Sequence, residues 1–141
     1  MDKKEMIKEF YEVIISGNRI EELDNYISED CTVRIGDQNY FTGIQGMKEH
    51  LSGVKTTYPD LTIKILRQHT DGDFVISEII MEGTHRGEWL GIKPSGKKLS
   101  ITGVNIDCVP DGKIIEHGGA ANAFDTLWDK GIIKAAEPVQ K

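Results

Sequence analysis

The sequence predicts an α+β domain in which a strongly bent antiparallel sheet wraps over N-terminal helices. Three observations favour this class. Apolar residues recur at helical spacing near the start of the chain, strand-forming residues dominate two long stretches after Pro59, and each of those stretches turns at an Asp-Gly pair. A bent sheet of this kind forms a cone with one open end, which is a usual place for a small ligand.

The N-terminal half is predicted to be mainly helical. Asp2 is followed three residues later by Glu5, as in a capping box, so we expect a helix over residues 3–16. Its apolar stripe contains Ile7, Phe10, Tyr11 and Ile14. The elements expected next are a short helix near 20–27, a strand at 31–35 that pairs back with 38–41, and a helix from Thr42 to Pro59.

The first long hairpin is expected to turn through the three residues Thr70–Gly72, because this register pairs apolar residues with apolar ones. A two-residue loop would instead oppose a lysine to an isoleucine. The expected pairs are Ile63–Ile79, Leu66–Ile76, Leu61–Met81 and Lys64–Glu78. One face should then carry Leu61, Ile63, Ile65, Val75, Ile79, Met81 and, further on, His85.

The second long hairpin is expected to turn at Val109–Gly112, because proline favours the second position of a type I turn. The expected pairs are Asn105–His117, Gly103–Gly119 and Asp107–Ile115. One face should carry Ile101, Gly103, Asn105, Asp107, Ile115, His117, Gly119 and Ala121. The other face carries Val104, Ile106, Cys108, Ile114, Glu116 and Gly118. This outer face is too apolar to be left in water, so we expect a homodimer through it.

Length and composition indicate a single domain, residues 1–141, with a core over about 3–130 and a C-terminal tail at 131–141. The net charge of −6 and the lack of a basic cluster argue against nucleic-acid binding. No apolar run approaches the ~20 residues that span a bilayer. The N-terminus lacks the apolar segment of an export signal, so we expect a cytoplasmic protein with no membrane partner, in which Cys31 and Cys108 are free thiols.

Neither a cofactor nor a metal is predicted. The glycines of "GDQNYFTGIQG" lack the strand–loop–helix spacing of a nucleotide-binding fingerprint. The chain has no closely spaced ligand pair such as H-x-H, although His85, His117 and Asp107 could converge from separate strands.

A family resemblance is carried by three stretches, "MKEHLSGVKTTYPDLTIKI", "GTHRGEWLGIKPSGKKLSITGVNI" and "PDGKIIEH". Together they resemble the SnoaL-like polyketide cyclase (ester cyclase) family of the nuclear-transport-factor-2-like superfamily. The resemblance covers about residues 3–130, and the block from Gly83 to Lys98 is its most specific part. It implies the cone-shaped fold and a dimer through the sheet.

Family members that close polyketide rings by an aldol step place an aspartate on the last strand as acid/base, with a histidine on the neighbouring strand. Alignment on Asp111-Gly112 puts Gly119 at the aspartate position and Asn105 at the histidine position. Many relatives also have tryptophan where this chain has Gly118. The resemblance therefore implies the fold but not the aldol-cyclase mechanism.

The pocket face still carries groups suited to acid–base chemistry. His117 is the candidate proton shuttle, because an imidazole titrates near neutral pH. Asp107 would assist it, and Asn105 would hold a developing oxyanion. The residues expected to contact a ligand are His85, Trp89, Met81, Gly103, Gly119 and Ile115.

Three interpretations remain open from the sequence. The chain is a cyclase-, isomerase- or hydrolase-type enzyme acting on a small, mostly apolar carbonyl or ester compound, or a ligand-binding protein without that chemistry, or a dimeric module with an incidental pocket. Gly119 in the acid/base position favours the second over strict family-style catalysis. The polar groups also have structural alternatives, since Asp107 can be solvated near the turn and His85 can serve the core.

Overall fold

The computed structural model describes residues 1–137, so the end of the expected tail, 138–141, lies outside the described residues. The helices are α1 (Lys3–Glu9), which continues as a π-helical segment (Phe10–Ile15), a 3₁₀ helix (Ile20–Asn25), α2 (Gly43–Thr57) and α3 (Phe124–Asp129). The strands are β1 (Ile27–Ile35), β2 (Gln38–Phe41), β3 (Thr62–Asp71), β4 (Phe74–Thr84), β5 (Lys98–Cys108) and β6 (Ile114–Asn122). None of the described helices is long and apolar enough to cross a bilayer.

The six strands form one bent, unclosed sheet in the order β2-β1-β6-β5-β4-β3. This confirms the predicted α+β fold class. Strands β3 to β6 are antiparallel neighbours, as expected, and β2 pairs back with β1. The sequence did not predict that β1 would pair in parallel with β6. That contact brings the N-terminal half of the chain beside the last strand.

The N-terminal helix begins where the sequence predicted. The backbone N–H of Glu5 donates to the Asp2 carboxylate at 2.8 Å, which caps α1. The apolar stripe of this helix packs against the sheet, and Ile7, Phe10 and Ile14 are at most 2% exposed. Burying each such side chain contributes about 1.5–3 kcal/mol, so the stripe holds the helix on the concave face.

The β3–β4 register expected from the sequence is wrong. The turn is the two-residue segment Gly72–Asp73, and Ile63 lies opposite Met81 instead of Ile79. A bulge at Leu66 interrupts the ladder. Before the bulge the shift is two residues, and an even shift keeps side chains on their face. The expected inward residues accordingly stay inward, with Leu61, Ile63, Val75, Ile79 and His85 buried and Ile65 and Met81 half-buried.

The β5–β6 register expected from the sequence is also wrong by two residues. The observed pairs are Asn105–Gly119, Gly103–Ala121 and Asp107–His117. The shift is again even, so these residues remain on the predicted face. Its consequence is that Asp107 lies directly opposite His117 rather than two residues away.

The start of β6 departs from the predicted alternation. Ile114, expected on the outer face, is 1% exposed, whereas Ile115, expected on the pocket face, is 39% exposed. The β5–β6 ladder ends at Glu116, and Ile114 instead pairs with Ile27 of β1. The pairing with β1 contains an irregularity between Ile27 and Thr32. At this end of β6 the side chains therefore lie on the opposite faces from those predicted, with Ile114 inward and Ile115 outward.

Candidate active site

The centre of the candidate site is the buried carboxylate of Asp107. The Tyr11 hydroxyl donates to its Oδ2 at 2.6 Å, and Nδ1 of His117 lies 2.7 Å from its Oδ1. Asp107 is 0% exposed and Tyr11 is 4% exposed. Asp107 is therefore not solvated near the turn, because each of its oxygens has a protein donor.

Three elements bring these groups together. β5 supplies Asp107, β6 supplies His117 directly opposite, and the π-helical segment supplies Tyr11 from the helical layer. The Tyr11 hydroxyl also lies 3.2 Å from Nδ1 of His117. π-Helical turns occur frequently at functional sites, because they change the direction of side chains within a helix.

The hydrogen bonds determine the tautomer of the neutral imidazole. A carboxylate oxygen can only accept, so Nδ1 of His117 carries the proton that it donates to Asp107. The Nε2 atom is then left with a lone pair, and no residue in the described part of the chain hydrogen-bonds to it. The His117 side chain is 25% exposed, so this nitrogen can meet a ligand.

Electrostatics reinforce these roles. Burial disfavours the charged imidazole, but the hydrogen bond and the negative charge of Asp107 outweigh it, so the pKa of His117 is raised above 6.5. Burial, and then the charge and hydrogen bond of Asp107, raise the pKa of Tyr11 well above 10, while a hydrogen bond from Asn105 acts in the opposite sense. Tyr11 consequently stays protonated and keeps donating.

Asn105, His117 and Gly119 line one cleft between the end of β1 and the β5–β6 pair. The cleft has a volume of about 240 Å³ and is also lined by Val33 and Ala121. Drug-sized ligands occupy ~300–1,000 Å³, so this cleft suits a smaller molecule. Three of the residues expected from the sequence thus share the site with Asp107.

The missing side chain at Gly119 does not leave an empty space. A Cβ built at this glycine would lie 2.2 Å from the Val104 carbonyl oxygen and 3.0 Å from Asn105 Oδ1. The residue also has φ +150°, which is essentially restricted to glycine. The β5 backbone therefore occupies the position where a side chain at residue 119 would begin.

The remaining residues expected to contact a ligand lie outside this cleft. Gly103 lines a different, shallow depression together with Leu66 and Ile79, Met81 packs half-buried on the core, and Ile115 is exposed near the start of β6. His85 and Trp89 lie near the far end of β4. Residues 98–107 of β5 extend for ~30 Å from this end of the sheet to the end that carries Asp107. His85 and Trp89 are therefore far from the cleft.

Two functional candidates escaped the sequence analysis. Tyr11 was assigned to the apolar helix stripe, where its hydroxyl had no evident use. His50 on α2 was not predicted as a site residue. Partial burial and then the charge of His117 lower its pKa, so the two imidazoles interact electrostatically. The sequence pattern around Tyr11 contained only one indication of a functional role, a hydroxyl group within an otherwise apolar stripe. Tyrosines in such positions are common in protein cores, so the pattern did not identify Tyr11.

Nothing in the described residues forms a metal site or a reactive thiolate. Residues 1–137 contain no group of three His, Cys, Asp or Glu side chains placed to hold a metal. Cys31 and Cys108 are free thiols, as expected. Burial raises the pKa of Cys31 to about 11. A hydrogen bond with Thr42 has a weaker, lowering effect, and the negative charge of Asp107 adds to the increase. The thiol of Cys31 therefore stays protonated.

Comparison with known proteins decides the family. The sequence profile of the SnoaL-like polyketide cyclases matches residues 5–130. The chain belongs to the SnoaL-like polyketide cyclase family. No curated protein matches it in a sequence search.

Several solved structures share the architecture of this chain. IdmH from Streptomyces antibioticus is 23% identical, with a TM-score of 0.79 and coverage of 93% of this chain and 99% of that one. AclR from Streptomyces galilaeus gives 23% identity, a TM-score of 0.79 and coverage of 93% and 96%. A SnoaL-like polyketide cyclase from Agrobacterium tumefaciens is 12% identical, with a TM-score of 0.79 and coverage of 92% and 98%. At these identities the SnoaL-like neighbours establish the fold alone.

Proposed function

We propose that this SnoaL-like protein binds a small, mostly apolar carbonyl or ester compound and moves a proton on it with His117. The observation that carries the proposal is the buried Asp107 carboxylate, held 2.7 Å from Nδ1 of His117 and 2.6 Å from the Tyr11 hydroxyl. The imidazole held in this way lines the cleft of about 240 Å³, and its Nε2 is free of hydrogen bonds within the described residues. It replaces the aspartate that relatives carry at the position of Gly119.

The proposed step is reversible proton abstraction next to a carbonyl group. Nε2 of His117 takes the α-proton, and the electron pair of the broken C–H bond moves to form an enolate. The negative charge develops on the carbonyl oxygen, where the Asn105 amide donates a hydrogen bond. Asp107 stabilises the imidazolium, and Tyr11 holds Asp107 in place, so both are positioning residues.

This step can be tested without knowing the natural substrate. In deuterated water, proton abstraction exchanges the α-protons of a simple ketone for deuterium, which proton NMR detects as loss of signal. With indanone and ethyl acetoacetate as probes, we expect exchange faster than in buffer alone. His117→Gln should slow the catalysed exchange by about 10²–10⁴-fold, the usual contribution of a general base.

The matched control is Cys108→Ser, which alters a polarisable group on the outer sheet face and should leave the exchange rate unchanged. Exchange at the buffer rate with every probe, together with ligand binding in the cleft, would favour the second candidate function. In that case the protein is a non-catalytic binding module. The glycine at position 119, where the family resemblance implies the acid/base aspartate, supports this alternative.

We also propose that the protein forms a homodimer through the outer sheet face. Val104 is 38% exposed, Ile106 is 42% exposed and Leu66 is 57% exposed, so apolar side chains on this face meet water in the single chain. Sedimentation at micromolar concentration should report twice the mass of 15.8 kDa. Ile106→Glu should give a folded monomer, whereas a monomeric wild-type protein would exclude the dimer.

We further propose a cytoplasmic location, for which the two free cysteines are the supporting observation. Unpaired thiols are typical of reducing compartments. Fractionation of cells that express the full chain should recover it with cytoplasmic markers, and recovery from an oxidising compartment would contradict the proposal.

A further inference from the structure

A second polar site lies in an aromatic cluster formed by Tyr58, His85 and Trp89. The three ring centroids lie 5.8–6.3 Å apart, so each ring contacts the other two. Tyr58 ends α2, His85 follows β4, and Trp89 belongs to the next turn. Tyr58 is 4% exposed and His85 is 0% exposed.

Two polar atoms in this cluster have no partner. Within residues 1–137, the Tyr58 hydroxyl and Nε2 of His85 are the buried side-chain nitrogen or oxygen atoms that make no hydrogen bond. An unpaired buried donor destabilises the folded state, and buried polar groups in native proteins almost always have a hydrogen-bond partner. These two atoms belong to rings that contact each other, which indicates that they serve one purpose.

Both atoms act as hydrogen-bond donors. The backbone N–H of Ser95 donates to Nδ1 of His85 at 3.3 Å, so Nδ1 uses its lone pair and Nε2 of the neutral ring carries the proton. Burial raises the pKa of Tyr58 to about 12, so its hydroxyl keeps its proton. The cluster thus offers two neutral donors between aromatic rings.

The surrounding backbone is built to hold these rings. A Cβ on Gly83 would lie 2.9 Å from Cβ of Tyr58, so the glycine makes room for the tyrosine. The Thr57 carbonyl accepts from the N–H groups of Arg86 and Gly87 at 2.9 and 3.2 Å, which ties the end of α2 to the segment after β4. Trp89 is half-buried, so it is the member of the cluster by which a ligand can enter.

We propose that the Tyr58–His85–Trp89 cluster binds a neutral carbonyl oxygen attached to a flat apolar ring. A carbonyl oxygen has two lone pairs and can accept from both donors, while the ring contacts the indole of Trp89. A carboxylate fits less well, because neutral donors do not compensate a buried charge. This site is separate from the His117 cleft and does not depend on the proposed catalytic function.

The probe is para-fluoroacetophenone, titrated into the full chain and followed by fluorine NMR. Its hydrocarbon counterpart, para-fluoro-α-methylstyrene, has the same shape but no acceptor oxygen, and we expect it to bind about tenfold more weakly. Tyr58→Phe keeps the ring and removes one donor. It should therefore weaken the binding of the ketone by about tenfold and leave the binding of the hydrocarbon unchanged. His117→Gln should leave ketone binding at this site unchanged.

Nitrogen–proton NMR gives the position of the ligand. The chain has two tryptophans, and Trp128→Phe identifies which indole signal belongs to Trp89. The ketone should shift the Trp89 signal. Binding that disappears in His117→Gln but survives in Tyr58→Phe would place the ketone in the other cleft and overturn this inference while leaving the proposed function intact. Absence of ketone binding, or equal affinity for ketone and hydrocarbon, would show that the two donors serve water only and would also overturn it.

Discussion

Nδ1 of His117 lies 2.7 Å from Oδ1 of Asp107, and the two residues face each other across the β5–β6 ladder. The Tyr11 hydroxyl reaches the same carboxylate from the helical layer at 2.6 Å. Strand register and helix packing therefore act together to fix the imidazole of His117, which lines the cleft.

Removing the charge of Asp107 should lower the pKa of His117. In the wild-type protein the carboxylate outweighs burial, which on its own disfavours the imidazolium. In Asp107→Asn only the burial effect and a weaker hydrogen bond remain. NMR titration of the imidazole signals should place the wild-type pKa above 6.5 and the variant pKa below the wild-type value. His117→Gln identifies the signal, and an equal pKa in wild type and Asp107→Asn would contradict the assigned ion pair.

The same pair should make stability depend on pH in a defined direction. The pKa of His117 is raised on folding, so its contribution is complete below the unfolded value of 6.5 and is lost as pH rises through the folded value. The difference in unfolding free energy between wild type and His117→Gln should therefore be larger near pH 6 than near pH 9. Urea unfolding at several pH values measures this difference. The subtraction removes the part of the opposite His50 effect that comes from burial, whereas the part caused by the charge of His117 is absent from the variant.

Two buried tyrosines make a matched pair of tests. Tyr11 and Tyr58 are both 4% exposed, but only the Tyr11 hydroxyl has partners. Tyr11→Phe removes the donor to Asp107 and should cost about 1–3 kcal/mol. Tyr58→Phe removes an unpaired hydroxyl and should leave stability unchanged or slightly higher. Urea unfolding measures the free energy of unfolding of both variants. Equal losses of stability in Tyr11→Phe and Tyr58→Phe would show that the Tyr58 hydroxyl has a hydrogen-bond partner.

The sequence predicted most of the faces of the long hairpins but not their registers, and it placed Ile114 and Ile115 at the start of β6 on the wrong faces. Side chains alternate with a period of two, so the apolar pattern defines a face without defining which residues pair. The β5–β6 error was two residues in size, which explains why Asp107 and His117 were still assigned to one face. The β3–β4 error was two residues before the bulge at Leu66 and three after it. Turn residues alone could not decide, because the two-residue turn at Gly72–Asp73 and a longer loop both accommodate a glycine.

The features that the sequence could not provide depend on contacts between distant segments. Ile114 is buried because β1 pairs with it, and nothing near Ile114 in the chain indicates that partner. Tyr11 joins the site because a helix packs across the end of β5, a contact between residues 96 positions apart. An aromatic residue on an apolar stripe is normally core, so local pattern does not distinguish this one.

Placing an aspartate at position 119, where the family resemblance implies one, should damage the fold instead of adding activity. Glycine at this position has φ +150°, and a Cβ would lie 2.2 Å from the Val104 carbonyl oxygen. We expect Gly119→Asp to lose about 2–4 kcal/mol, through backbone strain and displacement of β5. Gly118→Ala is the control, because its Cβ would lie 3.3 Å or more from its neighbours and should cost under about 1 kcal/mol. A stable Gly119→Asp protein would show that β5 can move aside.

The turn at Leu90-Gly91 should become more stable when Leu90 is replaced by asparagine. Leu90 has φ +54° and is 75% exposed, so it holds a left-handed conformation without burying its side chain. Trp89 pairs with Ile92 through hydrogen bonds of 3.0 and 2.8 Å, which makes this a two-residue turn with both central residues at positive φ. Asn-Gly is the preferred sequence for such turns, because asparagine tolerates the left-handed region.

We therefore expect Leu90→Asn to raise the unfolding free energy by about 0.5–1 kcal/mol, measured by urea denaturation. Gly91→Ala in the same turn is the matched control. Its Cβ would meet no atom within 4 Å, so strain at φ +76° alone should lower stability by about 1 kcal/mol. A loss of stability in Leu90→Asn would mean that the leucine is held in place by a contact beyond the single chain, such as a second copy. Dilution would then abolish the difference between wild type and variant.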